Sequence, residues 1–174
     1  MRMKKTATFY WLLPAKPQRD LFCAVIRILR RELGAPSFEP HVTLFAATNN
    51  DAPAKVLRQF RSQPIRLSVR GVAHSAKLTK TLFVRFKPAP ALRKLIRDLA
   101  RAAKTSAKVP KDPHVSLLYK KIPQRIRKEL AAVIKVPFRT ASFDSIAVVR
   151  ITSPVRTGED VTKWKIIARK SLRR

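Results

Sequence analysis

The chain has 174 residues, 45% of them apolar, which is enough to bury one substantial core and too apolar for a disordered polymer. A single cysteine excludes an internal disulfide and a Cys-rich zinc site, and thirteen Pro against three Gly argue against long flexible linkers. Thirty-nine Lys and Arg against ten acids leave a net charge of +29, which attracts polyanions but by itself defines no site.

Met1 to Lys5 followed by apolar Ala7 to Leu13 has the charge order of a secretory signal. The apolar part is at the short end of the range, however, and Pro14-Ala15-Lys16-Pro17 is a poor cleavage site. Thr6 to Leu13 reads better as a first strand stopped by Pro14. Gln18 to Leu33 is an amphipathic helix, with Leu21, Phe22, Val25, Ile28, Leu29 and Leu33 at helical spacing. Arg27, Arg30 and Arg31 lie opposite, and Gly34 stands where a helix end favours a left-handed residue. Cys23, inside the run Leu21 to Ile26, reads as a buried, inert thiol. After a loop with Pro36 and Pro40 comes a strand at His41 to Ala46. Asn49-Asn50-Asp51 can cap a helix over Ala52 to Phe60. Ile65 to Ala73 and Thr81 to Phe86 are strands around a turn holding His74 to Lys80.

Pro88 and Pro90 introduce a second amphipathic helix, with Leu92, Leu95, Ile96 and Leu99 inward and Arg93, Lys94, Arg97, Arg101 and Lys104 outward. Lys108 to Pro113 leads into a strand at His114 to Tyr119. Pro123 suits the first turn of a further helix with Ile126, Leu130 and Ile134 on one face. Phe143 to Ile151 and Val161 to Ile167 close as strands, and Arg169, Lys170, Arg173 and Arg174 form a frayed basic tail. No run approaches the length of a membrane span, and a cytoplasmic location is expected. The order strand, helix, histidine strand, helix, strands occurs twice. It predicts an α+β fold in which residues 1–174 form one domain of two duplicated lobes. Two antiparallel-rich sheets related by a pseudo-twofold axis would meet at a central cleft, with helices outside.

The two histidine strands open with near-identical tetrapeptides, His41-Val42-Thr43-Leu44 and His114-Val115-Ser116-Leu117. Twenty-one Ser and Thr make a hydroxyl two positions after any given histidine a roughly one-in-eight event, so two of three histidines is a signal rather than composition. In a strand, residues i and i+2 share a face. Each tetrapeptide therefore presents an imidazole beside a hydroxyl, with Val and Leu turned into the core. Two such pairs across a cleft supply two groups that titrate near neutrality and two hydroxyl donors for an anionic oxygen. That set fits acid–base cleavage of a phosphodiester: one imidazole deprotonates water, the other protonates the leaving oxygen, and Thr43 and Ser116 hold the non-bridging oxygens. His114 is assigned as base and His41 as acid, although the near-symmetry separates them weakly.

Two His-x-Ser/Thr-apolar motifs 73 residues apart resemble those of the 2H phosphoesterase superfamily. The extended motif His114-Val115-Ser116-Leu117-Leu118-Tyr119, with Trp11 before Leu12-Leu13-Pro14, is most similar to the plant and fungal cyclic phosphodiesterase branch. The bacterial RNA ligase/phosphodiesterase branch usually has an aromatic two residues past the Leu of its first motif, where this chain has Ala46. The resemblance implies a bilobal fold with a central cleft. It also implies hydrolysis of a 2′,3′-cyclic phosphate, on a nucleotide or an RNA end, or of an ADP-ribose cyclic phosphate, to the 2′-phosphate, with neither metal nor other cofactor. His41, Thr43, His114 and Ser116 take the motif roles, Tyr119 matches a substrate-contacting position, and Trp11 and Phe83 match aromatics lining the pocket.

Other readings attach to the same residues. His74 has Ala76 rather than a hydroxyl at i+2 and reads as a solvent-exposed turn histidine. Two imidazoles with no carboxylate in either motif make a poor zinc site. The alternatives to hydrolysis are a basic RNA-binding module on this scaffold without turnover and a 2′-5′ RNA ligase-like activity; intact pairs in both motifs favour an enzyme. The spread of basic residues fits non-specific RNA binding or simply solvated helix faces. No membrane or protein partner is implied.

Overall fold

The computed structural model describes residues 5–47 and 52–173. β1 (Lys5–Pro14), α1 (Gln18–Leu33), β2 (Val42–Ala47), α2 (Pro53–Gln59) and β3 (Ile65–His74) are followed by a 3-10 turn at Leu78–Lys80. The same order then recurs in β4 (Leu82–Phe86), α3 (Pro90–Ala102), β5 (His114–Leu118), α4 (Gln124–Val133) and β6 (Thr140–Ser153), with α5 (Gly158–Thr162) and β7 (Lys165–Ser171) at the end.

The fold is α+β, as expected. The strands pair antiparallel in the order β1-β2-β5-β4-β3-β6-β7, and β1 also pairs β6, so six strands close on themselves and β7 lies outside the ring. The expected pair of sheets is thus hydrogen-bonded into one, through two short seams: Val42 opposite Val115 between β2 and β5, and Ile65 to Ser68 opposite Phe143 to Thr140 between β3 and β6. β1 has neighbours on both edges, and its apolar run is buried on both faces. Tyr10 and Leu12 join the main core, with Phe22, Leu29, Val42, Leu44, Val115 and Leu117. Trp11 and Leu13 point the other way, to a smaller cluster with Ala147, Val149 and Ile151. The helices pack over the main core, where Leu92, Leu95, Ile96 and Leu99 of α3 are almost fully buried. Each contributes about 1.5–3 kcal/mol by leaving water.

Several local expectations are corrected. The buried stripe of α1 is Phe22, Ile26 and Leu29, and at about 100° per residue Cys23 and Ile28 fall on either side of it. Cys23 is exposed rather than buried, and Ile28 is 52% exposed. His74 is the last residue of β3, opposite Leu82 and half-buried, not an exposed turn residue. Val161 belongs to α5, which opens with a capping box between Thr157 and Asp160. β7 therefore starts at Lys165 and includes Arg169 and Lys170. The tail is ordered beyond it, with Leu172 buried and its amide donating to the Asp144 carbonyl at 2.6 Å. Gly34 adopts the left-handed C-cap of α1 as expected (φ 61°). The Asn49-Asn50-Asp51 cap and Arg174 lie outside the described residues. Among the described residues, no helix is long and apolar enough to cross a membrane.

Candidate active site

The β2–β5 seam brings the two histidine motifs together. Running antiparallel from Val42 and Val115, His41 comes level with Ser116 and Thr43 with His114. The two valines join the main core, so these four residues share the opposite face. There, His41, Thr43, His114 and Ser116 line one cavity of about 430 Å³. Thr43 is exposed in it, and His41 and Ser116 are buried in its wall.

The imidazoles are held in the same way. His41 Nδ1 lies 2.6 Å from the Glu39 carbonyl and His114 Nδ1 lies 2.9 Å from the Asp112 carbonyl. A carbonyl only accepts, so each Nδ1 carries the proton and each neutral ring keeps its lone pair on Nε2. Burial pushes the His41 pKa down to about 4 against the opposing Glu39 carbonyl bond, and the nearby His114 lowers it further. His114 is lowered for the same first reason; the Asp112 carbonyl opposes this, and the charges on Lys80 and Arg85 add to it. Both rings are thus neutral at neutral pH. The Ser116 hydroxyl donates to the Thr79 carbonyl at 3.1 Å. Burial raises the Tyr119 pKa to about 12 against a smaller lowering by the Ser116 hydroxyl, so it stays a neutral phenol.

Aromatic side chains frame each histidine. Trp11 stacks flat on His41, with ring centroids 3.5 Å apart and planes within 6°. Phe83 meets His114 edge-on at 5.2 Å. The β1–β2 register sets Trp11 opposite Thr43, and the β4–β5 register sets Phe83 opposite Ser116, so the two aromatics hold equivalent places. Trp11 and Tyr119 line the cavity, together with Phe9 and Trp164. Phe83 is not part of the lining: it is 4% exposed, packed behind His114 with Lys80 Nζ 4.5 Å over its ring.

Sequence reasoning did not pick out Trp164, whose ring meets His41 and Tyr119 edge-on at 6.2 and 5.2 Å. It also missed Glu39 as a site residue and the direction of Asp112. The repeat in fact begins two residues earlier than the tetrapeptides, at Glu39-Pro40-His41 and Asp112-Pro113-His114, and that longer match was the available signal. Among the described residues, no three His, Cys, Asp or Glu side chains are grouped so as to hold a metal ion.

Two imidazoles and two hydroxyls converge on one cavity of an antiparallel α+β fold. Residues 19–154 match the model of the 2′-5′ RNA ligase superfamily, and the chain belongs to that superfamily, which is also known as the 2H phosphoesterases. The match extends to phosphoester chemistry on RNA and does not single out the cyclic phosphodiesterase branch. Solved structures share the fold along nearly the whole chain. TT0787 of Thermus thermophilus is 18% identical with a TM-score of 0.58, covering 96% of this chain and 98% of its own. E. coli LigT complexed with phosphate is 14% identical with a TM-score of 0.55, covering 99% and 100%. E. coli LigT complexed with 3′-AMP is likewise 14% identical with a TM-score of 0.55, covering 97% and 99%. Comparison with curated proteins gives no match.

Proposed function

We propose that the protein hydrolyses a 2′,3′-cyclic phosphate, on a nucleotide or an RNA end, or the related ADP-ribose 1″,2″-cyclic phosphate, leaving a phosphomonoester on the 2′ oxygen in the ribose case. One observation carries the reading: both histidines line the same cavity with Nδ1 tied to a carbonyl, which leaves the lone pair of each neutral ring on Nε2. The family match and the structures of LigT with phosphate and with 3′-AMP support a phosphate-bearing nucleotide as the substrate class.

In the reaction, one imidazole takes a proton from water as the water oxygen attacks phosphorus. The bond from phosphorus to the 3′ oxygen breaks in line, and the second imidazolium gives that oxygen its proton. Thr43 and Ser116 donate to the non-bridging oxygens as charge builds. The electrostatics favour the reverse of the assignment read from the sequence. His41 is the more buried ring and is pushed to about 4, so it holds its lone pair as the base. His114 is the less buried ring, so burial costs its imidazolium less and it is the more readily protonated of the two. The substrate anion between them favours the protonated state that the acid needs.

The test is hydrolysis of 2′,3′-cyclic AMP in EDTA, with the product's phosphate position read by phosphorus NMR. Wild type is expected to yield the 2′-phosphate, and His41→Ala and His114→Ala each to lose at least about 100-fold in kcat. An inert wild type, or full rate in either variant, overturns the reading.

A further inference from the structure

We infer that Glu39 and Asp112 are positioning residues: each carboxylate is staked by two cations so that the same residue's carbonyl stays aligned on Nδ1 of the histidine two positions on. This rests on the two-histidine reading of the site. Glu39 is held by Arg19 of α1, whose Nε and Nη2 both reach Oε1 at 2.8 Å, and by Arg169 of β7, whose Nη2 reaches Oε2 at 2.9 Å. Asp112 is held by Lys80 Nζ on Oδ2 at 2.6 Å and by Arg85 Nε of β4 on Oδ1 at 2.8 Å. Both oxygens of both carboxylates are engaged, which leaves the residue little freedom to turn. The carboxylates are 15% and 28% exposed, sheltered enough for charge-assisted bonds to hold geometry that surface pairs would not.

Pro40 and Pro113 complete the device. Each sits between the staked residue and the histidine and, with φ held by its ring, stiffens the link. With Nδ1–H donating to that carbonyl, the lone pair must sit on Nε2. Charge satisfaction alone does not account for the arrangement. Asp98 on α3 also draws two cations, Lys94 at 2.5 Å and Arg101 at 3.8 Å, yet it lies within a helix. The two clamps, moreover, draw their cations from unrelated places, α1 and β7 in one and the 3-10 turn and β4 in the other, and converge on the same geometry at both histidines.

The experiment uses the full chain labelled with nitrogen-15, and two-bond imidazole correlations read which ring nitrogen carries the proton. In wild type, both His41 and His114 are expected as the Nδ1–H form. Glu39→Gln should shift His41 alone toward the Nε2–H form and Asp112→Asn should shift His114 alone. Each should lower kcat on 2′,3′-cyclic AMP by about 10- to 100-fold with KM nearly unchanged. Asp98→Asn should alter neither ring nor rate. Where Glu39→Gln or Asp112→Asn does not fold, Arg169→Gln and Arg85→Gln remove one stake, keep the carboxylate, and should shift the same single ring. Unchanged tautomers in the folded variants, or equal disturbance of both rings by each, overturn the inference. A wild type without hydrolytic activity refutes the proposed reaction, and the tautomers still decide the positioning role.

Discussion

Val42 pairs with Val115 across the β2–β5 seam, joining the two halves of the sheet at equivalent positions of the two motifs. Each histidine consequently comes level with the hydroxyl of the other motif rather than only with its own. Trp11 opposite Thr43 and Phe83 opposite Ser116 repeat the correspondence one strand further out. The two hydroxyls are nevertheless unequal: Thr43 is open to the cavity, while Ser116 donates to Thr79. A phosphate must therefore win the Ser116 proton from a carbonyl, whereas Thr43 donates without that exchange.

Thr43→Val and Ser116→Ala should each lower kcat on a cyclic nucleotide by about 100- to 1000-fold, as removal of an oxyanion donor does. Ser116→Ala should also relax the Thr79 segment, because it frees the carbonyl that the serine holds. Steady-state kinetics and amide exchange at residues 78–80 check both. If Thr43→Val turns over like wild type, the hydroxyl does not meet the phosphate.

The pH dependence follows from the two lowered imidazoles. With His41 as base, the acidic limb of kcat/KM lies near pH 4. With His114 as acid and its pKa also lowered, the alkaline limb lies below the ordinary histidine value of about 6.5. The free-enzyme optimum should therefore be acidic. Folding stability moves with the same groups. Between about 6.5 and 4 the unfolded chain binds a proton that the folded His41 refuses, so stability is full above the unfolded pKa and falls as pH drops through that window. Complete protonation costs on the order of 3 kcal/mol for His41. His41→Gln should flatten this part of the denaturation profile; an unchanged slope would show that His41 titrates normally.

The hydroxyl and imidazole positions were legible because a strand's period of two is a local property: His41 and Thr43, or His114 and Ser116, share a face whatever surrounds them. The apolar stripe of α3 was legible for the same kind of reason. Long-range pairing was not, so nothing local predicted that the halves would join at Val42 and Val115. Nor could periodicity place Trp164, whose role depends on how α5 and β7 return to the cavity. The short α5 was hidden because Val161 to Ile167 looks like a strand, although Thr157 and Asp160 carried a cap signal. Cys23 was misread because an apolar run inside a helix still has an outer side.

Trp11 and Trp164 both touch His41 but in different ways, and kinetics should separate them. Trp11 is 2% exposed and stacked flat on the imidazole. Trp11→Ala should cost about 3–5 kcal/mol of stability, while Trp11→Phe should fold and lose mainly kcat. Trp164 lines the cavity edge-on to His41 and Tyr119, with Phe9, Pro154 and Val155 completing an apolar wall. Trp164→Ala should raise KM for cyclic nucleotides by about 5- to 150-fold with little change in kcat, the signature of a lost base contact worth about 1–3 kcal/mol. A fall confined to kcat would make Trp164 a support for His41 instead.

Whether the basic surface meets RNA is decided by salt rather than by affinity alone. The net charge is +29, and Arg93, Lys94, Arg97, Arg101 and Lys104 of α3 and its end are exposed. If an oligoribonucleotide ending in a cyclic phosphate touches about three of its backbone phosphates to such residues, log kcat/KM should fall with log salt at a slope near −2, roughly 20-fold from 50 to 200 mM. A cyclic mononucleotide has no backbone to lay on that surface and should lose far less over the same range. Two parallel lines would confine recognition to the cavity and leave the basic helix faces to solvent. Diverging lines should converge when Arg93, Arg97 and Arg101 are replaced together by Gln, because those side chains are exposed and their loss leaves the buried face of α3 intact.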